Sequence, residues 1–555
     1  MKVKPLGPSP AGHHDGTVRP MEGPQHWRTH LSPRSPGSLD PSGSFSLPEP
    51  GTLPGAWTAA LTPDPDRPLL WGLVGGGPAR WVTRGEFLDR TVAAARQLFV
   101  AGLVAGDRVL VSGPSTVDLV VAHVACLRLG LVVVPVNGSY REAELAHVLA
   151  DCRPRAALVD HDQWAGLIFK LQPNLLVTTT DLQGLEFPCG AAEVDAPTPE
   201  LDSGGSEAPA IIGYTSGTTG RPKGAVLTQA NLLAGAHSVR VAWRWTDADR
   251  LVLCLPLFHM HGLGVGLHGT LLAAASAILQ PRFDPDAVLD AVEVHAATLF
   301  FGVPTMYHRL AGHERVSGLG SLRLCVSGSA PLAADLHGRL ADQAGVQVLE
   351  RYGMTETVML VSNPYEGHRR PGSVGIPLPG VDVRLGGGDD GADGPSGEIL
   401  VRGPNVFANY WESPEATAEA FVADPDGGDS WFRTGDLGAV DEDGYLSIVG
   451  RTKELIISGG FNVYPREVDD VLSLHPAVAE VAVAGLPSPE WGEEVVAWVV
   501  PAVGYECPDV DELRSFAQDH LAAYKVPRRV VAVDALPRNA LGKVTRHALR
   551  RPACP

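Results

Sequence analysis

Between Tyr214 and Gly224 the chain reads YTSGTTGRPKG, flanked by the apolar runs Ala210-Ile211-Ile212 and Ala225-Val226-Leu227. Three glycines (Gly217, Gly220, Gly224), four hydroxyls (Thr215, Ser216, Thr218, Thr219) and two cations (Arg221, Lys223) fall within eleven residues. A mobile backbone with so many donors can wrap a polyanion, because glycine N–H groups approach phosphate oxygens with no Cβ in the way. The nearest alternative cradle, the P-loop, fails on spacing. It needs four residues between its glycines and then Gly-Lys-Ser/Thr, whereas here Pro222 precedes Lys223 and Gly224 follows it. An ordinary Ser/Thr/Gly surface turn between strands shares the composition.

Further along, Arg351-Tyr352-Gly353-Met354-Thr355-Glu356-Thr357 gathers a ring, a hydroxyl and a carboxylate around one glycine, just after a strand predicted at Gln347 to Leu349. The ring can stack on a base, the hydroxyl can bond phosphate and the carboxylate can hold Mg²⁺. A helix N-terminus with Thr and Glu in capping roles reads the same way. Phe432-Arg433-Thr434-Gly435-Asp436 places a carboxylate after a tight turn, where it could accept both hydroxyls of a ribose. Gly450-Arg451-Thr452-Lys453-Glu454 follows with two cations, and Ser458-Gly459-Gly460 makes another backbone-exposed turn. Alone, such pairs are common hairpin chemistry. Pro537-Arg538-Asn539-Ala540-Leu541-Gly542-Lys543 ends in a lysine on a flexible loop, where an isolated lysine is usually solvated.

Two further patterns have bland readings. Leu257-Phe258-His259-Met260-His261-Gly262 contains an HxH pair, but zinc needs a third ligand and none is in view, so core or pocket-lining histidine is expected. Gly264-Val265-Gly266-Leu267-His268-Gly269 spells GxGxxG, read here as permitting close helix packing rather than dinucleotide binding.

The elements that must position these residues are α/β in rhythm. Apolar runs at Arg108 to Val111 and Leu131 to Val134 alternate with a helical pattern from Leu119 to Leu129 that ends at Gly130, implying βαβ units in a parallel sheet. The rhythm recurs from 208 to 350, with strands expected at Ala297 to Phe301 and Leu322 to Ser327 and a helix at Ala333 to Ala344. After about 375, GVDVRL, GEILVRG and GYLSIVG alternate and are joined by Gly/Asp turns, suggesting an antiparallel sheet or small barrel. The last hundred residues return to mixed elements. A helix is expected near Arg466 to Leu474, strands at Val478 to Val483 and Glu494 to Val500, and a helix near Val510 to Leu521, with a boundary near Arg451 to Lys453.

At 555 residues two or more domains are expected, and 44% apolar with 19% charged residues describes a globular protein. No apolar stretch approaches the length of a membrane span. A net charge of −19 argues against a general nucleic-acid binder, so an anionic ligand must be met by local cations. Seven scattered cysteines without CxxC spacing indicate neither a disulfide scaffold nor a zinc site and suit a reducing, cytoplasmic compartment. Residues 1–54 are rich in Pro, Gly and Ser, lack the apolar core of a secretory signal and are expected to be a disordered tail, with 550–555 a second short tail. Arg19, Arg28 and Arg34 leave a transit peptide open, although Asp15, Glu22 and Asp40 weigh against it.

Taken in order, the five motifs from 214 to 543 resemble the adenylate-forming superfamily of acyl-CoA synthetases, peptide-synthetase adenylation domains and luciferases, over roughly residues 55 to 549. That resemblance implies an α/β fold: a large N-terminal domain (55–452) of two doubly wound subdomains plus a small β-barrel, and a smaller mobile α+β domain (453–549) hinged near Lys453. It implies two half-reactions, in which a carboxylate and ATP give an acyl-adenylate and pyrophosphate, then CoA displaces AMP. It also implies that Thr215, Ser216, Gly217, Thr218, Thr219, Gly220 and Lys223 clasp phosphate. Thr355 contacts phosphate, Glu356 holds Mg²⁺, and Gly328, Tyr352 and Gly353 line the adenine. Asp436 and Arg451 take the ribose, Lys543 bridges carboxylate and α-phosphate, and Ser458, Gly459 and Gly460 serve CoA. The expected partners are therefore a small carboxylate, ATP and CoA, with no obligatory protein partner.

LFHMHGL, FGVPTMYHR, VSGSAPL and ERYGMTET look most like malonyl-CoA synthetases, including methylmalonate-activating ones. Many superfamily members carry a small or neutral residue where this chain has Arg351. A guanidinium facing the acyl pocket needs an anion, and a second carboxylate on the substrate supplies one, with His259 and Ser327 alongside. Alternatively, Arg351 pairs with Glu350, Glu356 or a distant acid, and a medium- or long-chain fatty acid remains open as substrate. Carrier-protein loading is the other alternative. No carrier domain follows 549, so a stand-alone CoA ligase is the expectation.

Overall fold

The computed structural model describes residues 45–49, 51–182, 199–215, 222–386, 396–424, 427–518, 520–538 and 543–549. The first expected βαβ unit consists of the strands Arg108–Ser112 and Val132–Pro135, paired in parallel, with the helix Val117–Arg128 between them. Thr116 caps that helix by accepting from the Leu119 N–H at 3.2 Å. All of the helix is buried, because it is sandwiched between two sheets and has no face left for solvent.

One sheet has seven strands in the order Asn409–Tyr410, Lys223–Thr228, Pro209–Thr215, Val132–Pro135, Arg108–Ser112, Ala156–Val159, Leu176–Thr178. The other has nine, ordered Ile376–Pro377, Val361–Ser362, Leu349–Tyr352, Leu324–Ser327, Leu299–Gly302, Arg250–Leu253, Ser276–Leu279, Pro68–Gly72, Arg80–Thr83. Its central strands pair in parallel and are buried on both faces, which explains their unbroken apolar runs.

The short alternating segments after 375 form an antiparallel five-stranded sheet. Asp382–Gly386, Ser396–Arg402, Trp431–Val440 and Phe421–Val422 lie in that order, and Leu446–Arg451 also pairs with Trp431–Val440. Beyond a 3₁₀ turn at Thr452–Glu454 comes a second five-stranded sheet, built from Phe461–Val463, Ile456–Ser458, Gly492–Pro501, Val478–Ser488 and Arg529–Ala532. The helices Pro465–Leu472 and Val510–Ala517 belong to this region, the second ending four residues before the expected Leu521. Its two apolar clusters draw only on residues from Ile456 onward, so it has a core of its own.

Two expectations change in detail. Arg351 and Tyr352 lie within the strand Leu349–Tyr352, which pairs with Val361–Ser362, and no helix begins at 353–359, so the capping alternative fails. The GxGxxG segment is a π-helix, His261–Leu267, running into the helix His268–Leu272, and a Cβ on Gly269 would stand 2.5 Å from Trp245. That glycine serves helix packing, as expected. Among the described residues no helix is long and apolar enough to cross a membrane.

Candidate active site

The structure describes the two stems of the loop expected to hold phosphate. Strands Pro209–Thr215 and Lys223–Thr228 are antiparallel, with Thr215 opposite Lys223. Ser216, Gly217, Thr218, Thr219, Gly220 and Arg221 lie outside the described residues. The helix Glu142–Cys152 braces both stems: the Tyr214 hydroxyl donates to Asp151 at 2.5 Å, and His147 Nε2 lies 2.8 Å from the Pro222 carbonyl oxygen. The Lys223 ammonium stands 5.3 Å over the Tyr410 ring, whose hydroxyl donates to Glu356 Oε1 at 3.0 Å. Thr355 packs its methyl against Gly213. Lys223, Thr355 and Glu356 therefore converge at the base of the loop, and burial raises the Glu356 carboxyl above its usual range.

A second cluster joins two sheets to the C-terminal segment. Tyr352 donates to Asp436 Oδ2 at 2.6 Å, and Arg451 Nε meets Asp436 Oδ1 at 2.8 Å from the neighbouring strand. Asp436 is buried, and its charge raises the Arg451 guanidinium. Lys543 arrives from the C-terminal region. Its ammonium is pushed down to about 8, chiefly by burial and next by Arg451, while Asp436 and Glu454 pull the other way. Gly353 opens the turn that leads from Tyr352 to Thr355.

The third cluster surrounds Arg351, which is 5% exposed. Its guanidinium lies across Gly328, where a Cβ would stand 2.4 Å from Cζ, so any larger residue there would displace the guanidinium. Among the described residues Nε and Nη2 have no hydrogen-bond partner, and burial lowers the group to about 9. Glu350, the neighbour expected as an alternative partner, points to the opposite face of the strand. There Glu350 takes His337 at 2.9 Å and the Leu332 and Gly372 N–H groups at 3.1 and 3.0 Å. Glu356 is held by Tyr410. Ser327 Oγ is buried with no partner among the described residues, and His259 is half-buried against Phe258.

Two residues that the sequence did not place beside Arg351 join this cluster. His261 is buried, with Nε2 unpartnered among the described residues and a pKa well below the usual histidine value, through burial first, then Arg351 and His259. Its Nδ1 lies 3.5 Å from Ser329 Oγ, and Ser329 has a left-handed backbone, φ 69°. His261 was visible in the HxH pair, but nothing in the sequence ranked it above His259. Tyr410, in the first cluster, carried no signal at all, since it meets Glu356 across 54 residues.

Ser458, Gly459 and Gly460 sit at the turn between Ile456–Ser458 and Phe461–Val463. The Ser458 hydroxyl is buried, and both glycines have positive φ (60° and 82°). Lys453 lies in the 3₁₀ turn that precedes this hairpin.

A donor-rich loop, a carboxylate–tyrosine–arginine cluster and a guanidinium with unused donors, the last two linked through the adjacent Arg351 and Tyr352, suit ATP with an acid. A sequence model described as AMP-binding enzyme matches residues 57–411, and one described as AMP-binding enzyme C-terminal domain matches 467–543. The chain is 40% identical over 483 residues to a feruloyl-CoA synthase of Amycolatopsis sp, covering 86% of this chain and 94% of that one. It is similar in structure to ATP-bound MatB from Rhodopseudomonas palustris, with a TM-score of 0.80 and 39% identity over 90% of this chain and 98% of that one. Against a malonyl-CoA ligase ternary product complex with methylmalonyl-CoA and AMP, the TM-score is 0.61 at 39% identity, covering 86% and 99%.

Proposed function

The chain belongs to the AMP-binding enzyme family and is an ATP-dependent, AMP-forming acyl-CoA ligase; from that premise we propose that it activates a small dicarboxylate such as malonate or methylmalonate. The observation that carries this reading is Arg351, a buried guanidinium whose Nε and Nη2 make no hydrogen bond among the described residues. Leaving such a charge uncompensated costs several kcal/mol, and a substrate's second carboxylate would offset that by charge-assisted pairing. His261 and Ser329 stand beside it, with His259 and Ser327 completing the lining.

Two anions must meet in the first half-reaction. A carboxylate oxygen attacks the α-phosphorus of ATP, and pyrophosphate leaves as the acyl-adenylate forms. Thr215, Ser216, Gly217, Thr218, Thr219, Gly220 and Lys223 hold the β- and γ-phosphates, with Thr355 at the base. Asp436, oriented by Tyr352 and Arg451, accepts the ribose hydroxyls, and Gly328 and Gly353 border the adenine. Lys543 reaches the carboxylate and the α-phosphate, where each charge-assisted contact is worth about 1.5–3 kcal/mol. Glu356 fits a Mg²⁺ site, because a cation would relieve the burial that raises its carboxyl. Such an ion would neutralise phosphate charge.

In the second half-reaction the CoA sulfur attacks the acyl carbon and AMP leaves. The Ser458-Gly459-Gly460 turn offers backbone donors for CoA, and Lys453 is the pivot on which residues 453–549 turn relative to 55–452. At equal identity, the better superposition on the ATP-bound relative than on the product complex supports reading this arrangement as the adenylating one. Among the described residues five cysteines are free, four of them buried, which agrees with a reducing cytoplasmic setting.

The test is a carboxylate panel in an ATP- and CoA-dependent AMP-release assay. Malonate and methylmalonate should exceed butyrate, octanoate and ferulate by at least about tenfold in kcat/KM. A monocarboxylate in the lead would end the dicarboxylate reading and leave the ligase assignment intact.

A further inference from the structure

Lys543 owes its place to a network three residues downstream. An isolated bridge pairs Val544 with Arg538, and Thr545 returns to the Pro537 carbonyl through its N–H at 2.8 Å and its hydroxyl at 3.1 Å. Arg546 then spreads its guanidinium over three separate elements. Nε donates to the Val483 carbonyl at 3.1 Å, Nη1 to Glu454 at 3.2 Å, and Nη2 to Asp469. Asp469 in turn accepts the Val483 N–H at 2.7 Å.

The placement of these partners gives the network its meaning. Val483 lies on Val478–Ser488, the margin of the C-terminal sheet, so among the described residues its outward N–H and C=O have no strand to pair with, and Asp469 and Arg546 satisfy them. Glu454 closes the 3₁₀ turn directly after Lys453. One half-buried arginine therefore ties the edge strand, the helix Pro465–Leu472 and the turn that joins the two large regions to the segment bearing Lys543.

We propose that Arg546 is a positioning residue for adenylation: its bond to Glu454 fixes the length of the lever from the Lys453 turn to Lys543, so that rotation delivers the ammonium to Asp436 and Arg451. This rests on the roles of Lys543 and Lys453 given above. A displacement near 1 Å at a reacting group costs rate steeply, so a contact remote from substrate can govern one step and spare the other. The thioester step does not use Lys543 and should not register the lever.

Three variants, Lys543→Ala, Arg546→Gln and Glu454→Gln, are assayed in two reactions: adenylation from ATP and acid, and thioester formation from pre-made acyl-adenylate and CoA. Arg546→Gln should slow adenylation by on the order of ten- to a hundredfold and leave thioester formation within about threefold. Glu454→Gln keeps Arg546 on Asp469 and Val483, so it should fold normally and show the same asymmetry on a smaller scale. The double variant should be no slower in adenylation than Arg546→Gln, as expected of one shared contact.

The pH profile supplies a readout that a merely structural contact would not move. Among the described residues the charged groups that act on Lys543 include Arg451, Asp436, Glu454 and Arg546. Removing the Arg546 cation should move the alkaline limb of adenylation upward, and removing the Glu454 anion should move it downward. Equal losses in both reactions, or no loss in either, would overturn the proposal if Lys543→Ala still separates the two steps. Failure of Lys543→Ala to separate them would overturn the underlying role of the lysine instead. If Arg546→Gln does not fold, Glu454→Gln decides by the same criteria.

Discussion

Arg351 lies against Gly328, close enough that a Cβ at 328 would displace its guanidinium, while two of its nitrogens make no hydrogen bond among the described residues. A buried charge held without a partner is a cost to the fold that a ligand can relieve.

Replacing it should therefore separate stability from function. Arg351→Met should raise the unfolding free energy by about 1–3 kcal/mol while cutting malonate kcat/KM by on the order of a hundredfold or more. Malonate should raise the melting temperature of the wild type and leave that of the variant unmoved. Loss of stability in Arg351→Met would show that the guanidinium is a structural tie.

The Lys543 ammonium, lowered to about 8 in the free enzyme, should set an alkaline limit on the first step alone. As pH rises through that value the lysine loses the charge it brings to the α-phosphate, so kcat/KM for adenylation should fall above about pH 8. Thioester formation from the pre-made adenylate should lack this limb. Lys543→Ala should slow adenylation by tens- to hundreds-fold and abolish the limb. A limb near the ordinary lysine value would refute the assignment.

His123 and His268 stack face to face with 3.0 Å between their Nε2 atoms, both buried, and the His268 ring lies tilted against Trp57. Burial holds His123 near 3 and His268 well below the usual value. Because the folded values are depressed, the unfolded chain takes up these protons first. Stability is then lost as pH falls below the unfolded value near 6.5. Urea unfolding between pH 7.5 and 4.5 should show the slope shrinking by up to about 1.4 kcal/mol per pH unit for each histidine replaced by leucine. Parallel curves for wild type and variants would refute the claim.

Much of the chemistry could be read without coordinates because it is carried by short, contiguous motifs. The donors of residues 214–224, the hydroxyl and carboxylate of Thr355 and Glu356, and the carboxylate of Asp436 each depend on neighbours a few residues away. Strand rhythm was legible for the same reason, since burial on both faces imposes apolar runs that need no partner to be recognised.

Selection among similar residues was not legible. Sequence favoured His259 and Ser327 beside Arg351, whereas the fold also brings His261 and Ser329 together there, through a π-helix and a left-handed backbone whose geometry no periodicity announces. Whether Arg351 would pair with Glu350 turned on which face of the Leu349–Tyr352 strand each occupies and on His337 claiming the carboxylate.

By itself, then, the sequence determined an adenylate-forming ligase, because phosphate recognition is local and its motifs recur in fixed order. Only the tertiary structure decided which polar groups remain unpaired and which converge. Tyr352 meets Asp436 across 84 residues, and Lys543 comes within the field of the same carboxylate from the C-terminal segment, by long-range packing that no local pattern encodes.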